Sequence, residues 1–600
     1  MKNVKRFLAL LLAGSLAASC LGGCGQKENK QESSQSEESS TQVSSQTDAA
    51  AESSEAEEKS GPITTDPITI TILTTRHTNA TNDASDLWWF KYLEYWMNEQ
   101  GYNITLEVQQ SLELDQQISL MLGTDSLPDL VWGPVLSTSN AVIYGAEEGM
   151  ILDWTPYLNE ENMPNLNKYL EENPDALLAS TCNDGAVYGL PYFSARSNPS
   201  AAYSYGEVDR MYVNVDWLEE CNVEMPTDID SFLDMLRAFK NKELESGEEV
   251  IPLTSVAKFF EKYLWMCMGY YGSGLSAYGT NFSIKNGEVT LPAYTEDYRT
   301  FIEIMKICYE EGLISKDYFT LDNTTIRGFS KAGQCGVMCD YTLAHASDFS
   351  KFVFIEPFVI GDAKEVVASA SACYRINTVW ASADTEYPEV LAYMLDYVFS
   401  DEGSTLYLKG PMEGEDPLNM LDGWYFNENS DATTKMVADG AIDTFERYCQ
   451  QYVFPFMYVG TMVNNAAYMS NLAGEELNMT YCSFEDPITG EDVDGRILGE
   501  PDDTTVDGHW RSVTREGMEG HVTAVRLPNV YLTEEESVTA AEIKTVIDDY
   551  ITVESAKFIT GARPISEIDQ FYEELKAMDV EEYIDIYVNA YSTYMDAVFN

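Results

Sequence analysis

The side chains that most often perform catalysis form no catalytic motif in this 600-residue chain. The four histidines include no H-E-x-x-H pair, so the zinc site of one large class of metalloproteases is absent. No nucleophile elbow, phosphate-binding loop or dinucleotide fingerprint follows a predicted strand, and the glycine-rich stretch at 271–279 follows a helical segment instead. We therefore expect a protein that is not an enzyme.

One cysteine near the N-terminus is predicted to be modified. Residues 1–23 combine basic side chains with an apolar block broken only by small residues, which is the layout of a secretory signal peptide. The block ends in Leu-Gly-Gly-Cys, which resembles the bacterial lipobox, so Cys24 is expected to receive a lipid and to become the first residue after cleavage. An ordinary signal peptide with an incidental cysteine is the alternative, since Cys20 shows that cysteine also occurs in this segment by chance.

Residues 24–61 are predicted to form a disordered tether. They consist mainly of Ser, Glu, Gln, Thr and Ala and include no aromatic residue, so they bury too little surface to offset the entropy of ordering the chain. A flexible segment of this length reaches about 35 Å. The folded body would then stand clear of the membrane to which Cys24 holds it.

The overall charge excludes one class of partner. The formal net charge is −63, from 99 acidic and 36 basic residues, and no Lys/Arg-rich block occurs along the chain. We therefore expect no nucleic acid partner and no electrostatic docking on anionic lipids. The part that follows the tether, about 540 residues, exceeds what one hydrophobic core normally holds, so two or more lobes are predicted.

The cysteines do not predict a disulfide framework. Eleven cysteines, less Cys20 and Cys24, leave nine without regular spacing, and several of these lie on predicted apolar faces. Cys335 and Cys339 fit no zinc pattern. We expect mostly free thiols.

The folded body begins with the pattern of a strand, a helix and a second strand. PITITILTT (67–75) and YNITLEVQQ (102–110) alternate in period two, and the segment 87–101 between them has helical spacing. This order predicts a βαβ unit and a sheet that is parallel in part. Later segments continue the alternation, with predicted helices at 295–314 and at 388–403, the second with a proline start and a glycine stop. The chain is therefore predicted to have an α/β fold.

Nine phrases in the chain resemble, in the same order, the extracellular solute-binding proteins that deliver ligands to ABC importers. They are LPDLVWG (127–133), YGAEEGMILDWTPYL (144–158), DGAVYGLPY (184–192), MYVNVDWLEECNVEMPTDIDSFLDMLRAFK (211–240), IPLTS (251–255), YEEGLISKDYF (309–319), FSKAGQCGVM (329–338), YPEVLAYMLDYVFSDEG (387–403) and residues 556–591. Together with the lipobox, they point to family 1, the carbohydrate-type lipoproteins, in their long Gram-positive branch.

This resemblance implies a type II periplasmic-binding-protein-like fold, in which two α/β lobes close like a trap on a ligand in the cleft between them. The implied N-terminal lobe comprises residues 62–192 and 366–425, and the second lobe comprises residues 193–365 and 426–600. Residues 410–530 are expected to add surface elements around the cleft.

The resemblance also implies the setting and the partners of the protein. It implies a monomer on the extracellular face of the cell membrane, held there by its lipid anchor. The partners would be a carbohydrate ligand and the transmembrane subunits of an ABC permease. Two alternatives stay open: the same scaffold binding peptides or another small solute, and a surface hydrolase acting on polysaccharide.

Sugars present an apolar face of C–H groups and a rim of hydroxyls, so their sites combine aromatic rings with planar polar side chains. Where the resemblance places cleft loops, the chain offers ten candidate ligand-binding residues: Arg76, His77, Asp83, Trp132, Tyr192, Arg196, Trp265, Tyr271, Tyr341 and Trp380. The arginines and Asp83 would bind hydroxyls or a carboxylate, and the Trp and Tyr rings would stack on sugar rings.

These aromatic residues have a structural alternative, because an aromatic side chain at helical spacing usually belongs to a core. We accept that interpretation for Trp88, Trp89 and Trp96. Short polar or glycine-rich flanks favour exposure of Trp132 and Trp380 at the cleft.

A metal site is weakly indicated. Some long relatives have an Asp/Asn-rich calcium loop before the strand that corresponds to 251–255. Here the equivalent segment, 240–255, keeps Glu243, Glu245, Glu248 and Glu249 but lacks the Asp/Asn alternation of a tight oxygen cage. We therefore expect no cofactor. Calcium binding remains an alternative only if these glutamates supply its ligands.

Overall fold

The computed structural model describes residues 63–75, 82–133, 135–193, 210–272, 274–369, 374–426, 434–436, 453, 472, 480–485, 492–497, 506–523 and 525–599. The predicted signal peptide, Cys24 and the whole predicted tether lie outside these residues.

The strands are β1 Pro67–Thr75, β2 Asn103–Ser111, β3 Leu130–Trp132, β4 Leu190–Phe193, β5 Tyr212–Asn214, β6 Leu253–Ser255, β7 Ser283–Lys285, β8 Glu288–Thr290, β9 Val337–Cys339, β10 Phe352–Phe354, β11 Ala368–Ser369, β12 Tyr374–Ala381, β13 Trp424–Phe426, β14 Thr434–Met436, β15 Thr480–Glu485, β16 Asp492–Ile497 and β17 Val522–Thr523. In the described part of the chain, these strands form one five-stranded sheet, one four-stranded sheet and four two-stranded pairs.

The helices are α1 Trp88–Glu99, α2 Leu114–Thr124, α3 Pro164–Glu172, α4 Pro174–Ser180, α5 Val215–Cys221, α6 Ile229–Lys240, α7 Phe259–Cys267, α8 Asp297–Glu310, α9 Asn323–Lys331, α10 Pro388–Phe399, α11 Asp401–Lys409, α12 Val506–Gly517, α13 Glu534–Ile559, α14 Ile568–Lys576 and α15 Val580–Phe599. A short turn, Thr138–Asn140, continues as a π-helix over Ala141–Glu147.

The first lobe is built on a mixed sheet with the strand order β2-β1-β3-β12-β4. β1 pairs in parallel with β2 and β3, and β12 runs antiparallel to β3 and β4. Alternate residues of each strand point to opposite faces. Trp132 therefore packs with α1, α3 and α10 on one face, whereas Trp380 packs with α2 on the other.

The second lobe is built on a smaller sheet with the strand order β10-β5-β9-β6. β6 and β9 are parallel, and β5 is antiparallel to both β9 and β10. Its core also takes in the apolar faces of α6, α7 and α8 and of the C-terminal helices α13 to α15. The two lobes thus have separate cores, as the predicted α/β architecture requires.

The lobe to which two described segments belong differs from the prediction. Val366 and Ala368 still pack in the second-lobe core, because β11 pairs with β17, so the return to the first lobe follows residue 369. Val453, assigned from sequence to the second lobe, packs in the first-lobe core. The first crossing, 194–209, lies outside the described residues.

Most element predictions match the structure to within a few residues, but the glycine stop of the 388–403 helix is wrong. α10 ends at Phe399, because Ser400 is extended and its side chain accepts from Gly403 N, which caps the separate helix α11.

The thiols of Cys182, Cys221, Cys267, Cys308, Cys335 and Cys339 are free, as predicted for them. None of the described helices is both long and apolar enough to cross a membrane.

Candidate functional site: the carboxyl edges of the two sheets

The first-lobe sheet ends in a common edge. β1, β2 and β3 are parallel, so their carboxyl ends at Thr75, Ser111 and Trp132 lie on the same side. Tyr374 starts β12 opposite Phe193, the last residue of β4, at this same edge. Ligands of α/β sheets bind at the carboxyl ends of the strands, so this edge is the first-lobe wall of the candidate site.

The second-lobe sheet has a corresponding edge. β6 and β9 end there at Ser255 and Cys339, and the antiparallel strand β5 starts there, just after Arg210. Two of the crossings, 194–209 and 370–373, lie between described elements, β4 and β5 for the first and β11 and β12 for the second. The edges are therefore the surfaces that a ligand held between the lobes would contact.

Tyr341 is an aromatic side chain exposed at the second-lobe edge. It lies two residues beyond β9 and is 49% exposed. The Tyr341 ring meets the Phe259 ring edge to face, with centroids 4.5 Å apart. Arg210 Nη1 donates to the Tyr341 carbonyl at 2.7 Å, and its guanidinium lies 5.1 Å from the Trp510 ring centroid. The backbone of Tyr341 is thus held while much of its side chain faces solvent.

A buried polar cluster adjoins this edge. Ala257 and Lys258 both have positive φ, of 47° and 59°, in the turn between β6 and α7. Glu261 is fully buried, accepts from the Tyr318 hydroxyl at 2.6 Å and lies 3.9 Å from Lys258 Nζ. Burial raises the pKa of Glu261 in spite of these two partners, and burial lowers the pKa of Lys258.

A second polar and aromatic group lies where the lobes meet. Arg526 follows β17, and its guanidinium lies 5.4 Å from the ring centroid of Tyr374 and donates to the Tyr374 hydroxyl at 3.4 Å. Nearby in the second lobe, the Tyr271 hydroxyl donates to Glu365 at 2.8 Å. Burial, followed by this carboxylate, raises the pKa of Tyr271.

Residues 525–533 form a strap that contacts both lobes. Val525 and Leu527 pack in the second-lobe core, and Leu527 N donates to Gly272 O. Tyr531 instead packs against the Trp380 face of the first lobe and donates to Ser180 O at 3.1 Å. Asn377 Nδ2 donates to the Tyr531 hydroxyl at 3.2 Å, and burial raises the pKa of Tyr531 to about 12.

The predicted site residues divide into three groups. Arg76, His77 and Arg196 lie outside the described residues. Asp83 is exposed after the β1 loop and accepts from Gln110 Nε2 at 2.8 Å, and Tyr341 is exposed at the opposite edge. The remaining five, Trp132, Tyr192, Trp265, Tyr271 and Trp380, are all buried.

The expected exposure of Trp132 and Trp380 is wrong. Both lie on central strands of a sheet that is covered by helices on both faces, so alternate side chains are buried whichever face they point to. The Phe90 ring meets Trp132 edge to face at 5.7 Å. Trp265 is also a core residue, stacked on Phe301 at 4.5 Å with its indole N–H donating to Ala277 O. In this conformation these rings offer no face to a ligand.

Sequence reasoning missed Arg210, Tyr374 and Arg526. No local motif marks any of the three. Each is placed at the candidate site by a contact with a residue more than one hundred positions away in the sequence. One signal was available for Arg210: it is a basic residue in an acidic chain, immediately before a phrase that resembles solute-binding proteins, MYVNVDWLEECNVEMPTDIDSFLDMLRAFK (211–240).

The 240–255 segment does not gather its acidic side chains. Glu243, Glu245, Glu248 and Glu249 are all exposed, whereas Lys242 in the same loop pairs with Glu220 and lies over the Trp217 ring. Among the described residues, no group of three or more His, Cys, Asp or Glu side chains could hold a metal ion. These glutamates do not fit a calcium cage as they stand.

Known proteins share this architecture. No protein-family model matches the chain. A fructooligosaccharide ABC transporter substrate-binding protein, FusA of Streptococcus pneumoniae serotype 4, is 20% identical over 503 residues, which are 83% of this chain and 85% of FusA. The polygalacturonan/rhamnogalacturonan-binding protein YtcQ of Bacillus subtilis is 20% identical over 332 residues, 53% of this chain and 60% of YtcQ. Lipoprotein LipO of Bacillus subtilis is 22% identical over 256 residues, 41% of this chain and 43% of LipO.

Solved structures show the same fold. FusA in complex with kestose superposes with a TM-score of 0.69 at 18% identity, covering 88% of this chain and 100% of that one. An HMO-binding solute-binding protein from Bifidobacterium longum infantis gives 0.66 at 18% identity, covering 88% and 99%.

The two lobes, each built on its own α/β sheet, have a periplasmic-binding-protein-like fold, as predicted. The chain is a homologue of the substrate-binding proteins of ABC transporters, and the predicted resemblance to that class is confirmed.

Proposed function

We propose that this chain is an extracellular solute-binding lipoprotein that captures a mono- or oligosaccharide between its lobes and delivers it to the transmembrane subunits of an ABC permease. The observation that carries the proposal is the strap, in which Tyr531 is bound to the first lobe and Leu532 to the second. Two separate cores joined by such segments are the structural requirement of a hinge.

The carbohydrate class is supported by what the relatives are named for. FusA is named for fructooligosaccharides, and YtcQ for polygalacturonan and rhamnogalacturonan. Their names describe binding proteins, which agrees with a chain that performs no chemistry. The exposed Tyr341 ring at the second-lobe edge adds a surface on which the apolar face of a sugar can stack.

The mechanism is a difference in affinity between two states. A ligand that touches both edges makes its full set of contacts only when the lobes are closed, so binding shifts the hinge equilibrium toward the closed form. The permease then distinguishes loaded from empty protein by shape. The protein acts as a monomer, so one ligand closes one pair of lobes.

The lipid anchor at Cys24 completes the proposal. Replacement by alanine, Cys24→Ala, is expected to move the protein from the membrane fraction to the culture medium while its ligand binding stays unchanged. Membrane retention of Cys24→Ala would show that another segment holds the chain. If mass spectrometry of the mature wild-type protein finds its N-terminal peptide at the mass of the unmodified peptide, lipidation is excluded.

A thermal-shift screen of the full-length chain, in mild detergent, tests the ligand class. The panel contains kestose, maltotriose, cellotriose, trigalacturonate and trialanine. A ligand that binds only the native state stabilises it by about 2.7 kcal/mol at a hundredfold excess over Kd. A shift with one glycan, recovered intact after the assay, supports the proposal. A shift with trialanine alone indicates peptide transport, and loss of a glycan during incubation indicates a hydrolase.

A further inference from the structure

We propose that Asn377 and Tyr531 form a latch that fixes the pivot of the hinge, so that these two residues influence ligand affinity without touching the ligand. The latch joins β12 of the first lobe to the strap, residues 525–533. This inference rests on the proposed function only for its effect on affinity, because the latch itself consists of contacts between protein groups.

The latch starts from an irregular backbone in a buried strand. Asn377 lies within β12, yet its φ is 58°, in the left-handed region, and the pairing of β12 with β4 shifts register between Arg375 and Val379. A shift of this kind marks a bulge, and asparagine is one of the few residues other than glycine that readily adopt the left-handed conformation. A bulge re-aims a side chain, and here the Asn377 amide reaches the strap.

The neighbouring chain leaves room for this bulge. Gly189, just before β4, lies so close to Asn377 that a Cβ atom at residue 189 would be 2.6 Å from Asn377 Cα. A side chain at residue 189 would therefore displace the backbone at Asn377. The phrase DGAVYGLPY (184–192) thus contains a glycine that admits the bulge.

The Asn377 side chain donates in two directions. Its Nδ2 group donates to Leu136 O and to the Tyr531 hydroxyl, each at 3.2 Å, and the Tyr531 hydroxyl donates in turn to Ser180 O at 3.1 Å. Asn377 is fully buried, and among the described residues no group donates to its Oδ1. An acceptor left unpaired in a core costs stability, so stability alone does not account for an asparagine at this position.

The same residue holds the first-lobe surface on which the second lobe rests. Leu136 N donates to Asn377 O at 2.9 Å. Leu136 leads into the turn Thr138–Asn140 and the π-helix Ala141–Glu147, and both contact α13 of the second lobe. α13 begins at Glu534, directly after the strap. The strap and the support of α13 are therefore both fixed to Asn377.

With the latch closed, the strap is the axis about which the lobes turn. Tyr531 packs in the first lobe and Leu532 in the core of the second, so the two anchors are adjacent residues and cannot separate when the lobes rotate. Groups close to an axis move least, so the latch persists in both the open and the closed form. Loosening it adds motions other than closure to the unliganded protein, and a ligand must suppress these motions when it binds. Binding therefore becomes weaker.

Hydrogen–deuterium exchange of the unliganded full-length chain, in mild detergent, tests the latch directly. Tyr531→Phe keeps the ring and removes the hydroxyl that accepts from Asn377. We expect exchange about threefold to tenfold faster in peptides from 135–147 and 525–533, and no change in β1 or β9. Asn377→Gly should have the same effect, because glycine adopts the left-handed backbone but has no amide side chain.

Tyr298→Phe is the matched control. The Tyr298 hydroxyl bonds to Ser555 Oγ at 2.7 Å inside the second-lobe core, so its removal is a similar local defect away from the hinge. Exchange of the strap peptides in this variant should match wild type. Unchanged strap exchange in Tyr531→Phe, or equal acceleration in Tyr298→Phe, would overturn the latch.

Calorimetric titration measures the consequence for affinity, with kestose, maltotriose, cellotriose, trigalacturonate and trialanine as probes. For whichever probe binds wild type, Tyr531→Phe and Asn377→Gly are each expected to bind about threefold to tenfold more weakly, and Tyr298→Phe as tightly as wild type. The double variant should lose less than the sum of the two, because both changes remove the same bond. Unchanged or tighter binding by the two latch variants would overturn the pivot role.

The two measurements separate this inference from the proposed function. If wild type binds only trialanine, carbohydrate capture fails while the latch is still tested by both measurements. If wild type binds none of the five probes, the proposed ligand class loses its support, and the exchange data alone decide whether the latch exists. Faster exchange confined to the hinge, together with weaker binding of a sugar, supports both.

Discussion

Tyr531 and Leu532 are consecutive residues whose side chains pack in different lobes. Tyr531 contacts the first-lobe core around Trp380, and Leu532 belongs to the core of the second lobe. The Asn183 side chain donates to the carbonyls of both residues, at 2.8 and 3.2 Å. α13 begins immediately afterwards with a Thr533 capping box and extends into the second lobe. The strap therefore passes from one core to the other within two residues, which is the arrangement that the proposed hinge requires.

Removing the Asn183 amide should loosen the strap. Asn183→Ala eliminates two hydrogen bonds to the backbone between the lobes, so we expect the free energy of unfolding to fall by about 1 kcal/mol. The measurement is chemical denaturation of the purified chain. Asn167→Ala is the control, because that amide donates only to Glu171 on its own helix at an exposed position. Equal effects of the two substitutions would mean that Asn183 does not hold the strap.

Glu261 makes stability depend on pH in a defined direction. Burial raises its pKa in the folded state above the unfolded value, so its contribution to stability is complete below about pH 4 and is lost as the pH rises through the folded pKa. Glu261→Gln removes this proton linkage and keeps the shape. We expect the melting temperature of the variant to gain on that of wild type as the pH rises above about 4.

The control for this prediction is Glu219→Gln, which changes an exposed carboxylate on α5. Its difference from wild type should stay flat over the same pH range. A Glu261→Gln curve parallel to wild type would show that Lys258 and the Tyr318 hydroxyl compensate fully for burial of the carboxylate.

Trp132 and Tyr341 should respond to substitution in opposite ways. Trp132→Phe shrinks a buried ring packed between Phe90 and Tyr407, so we expect a loss of about 1–3 kcal/mol in stability with unchanged glycan affinity. Tyr341→Ala should lose affinity with little change in melting temperature, because its side chain is half exposed. Denaturation and titration on the same samples check both. If Trp132→Phe binds glycan more weakly at a temperature where the variant is fully folded, Trp132 belongs to the ligand site.

The pattern of the sequence was enough to predict the first strands and helices but not which faces of the strands are covered. Period-two alternation marks β1 and β2, and helical spacing marks α1, because these signals come from neighbouring residues. The flanks of Trp132 look polar whether or not helices cover the strand. Its burial depends on α1, α3 and α10, which come from distant parts of the chain.

The candidate site shows the same limit more strongly. Tyr341 could be proposed because the resemblance to solute-binding proteins places a cleft loop just after β9. Arg210 could not, because its contact with the Tyr341 carbonyl spans 131 residues and depends on the antiparallel pairing of β5 with β9. Local sequence does not encode such a contact, so it appears only once the sheet order is known.

Asp416 should be the anchor of the segment that follows α11. Its carboxylate accepts from the Trp88 indole N–H at 2.8 Å and from three backbone N–H groups, those of Leu418, Met420 and Leu421. Asp416→Asn replaces one accepting oxygen by an NH2 group and leaves donors facing donors, so we expect a loss of about 1–3 kcal/mol in stability. Limited proteolysis should also cut residues 410–426 sooner, because local opening becomes easier. Asp422→Asn, at an exposed position in the same segment, should leave both unchanged. If the two variants behave alike, the indole contact at the start of α1 does not fix this segment to the first lobe.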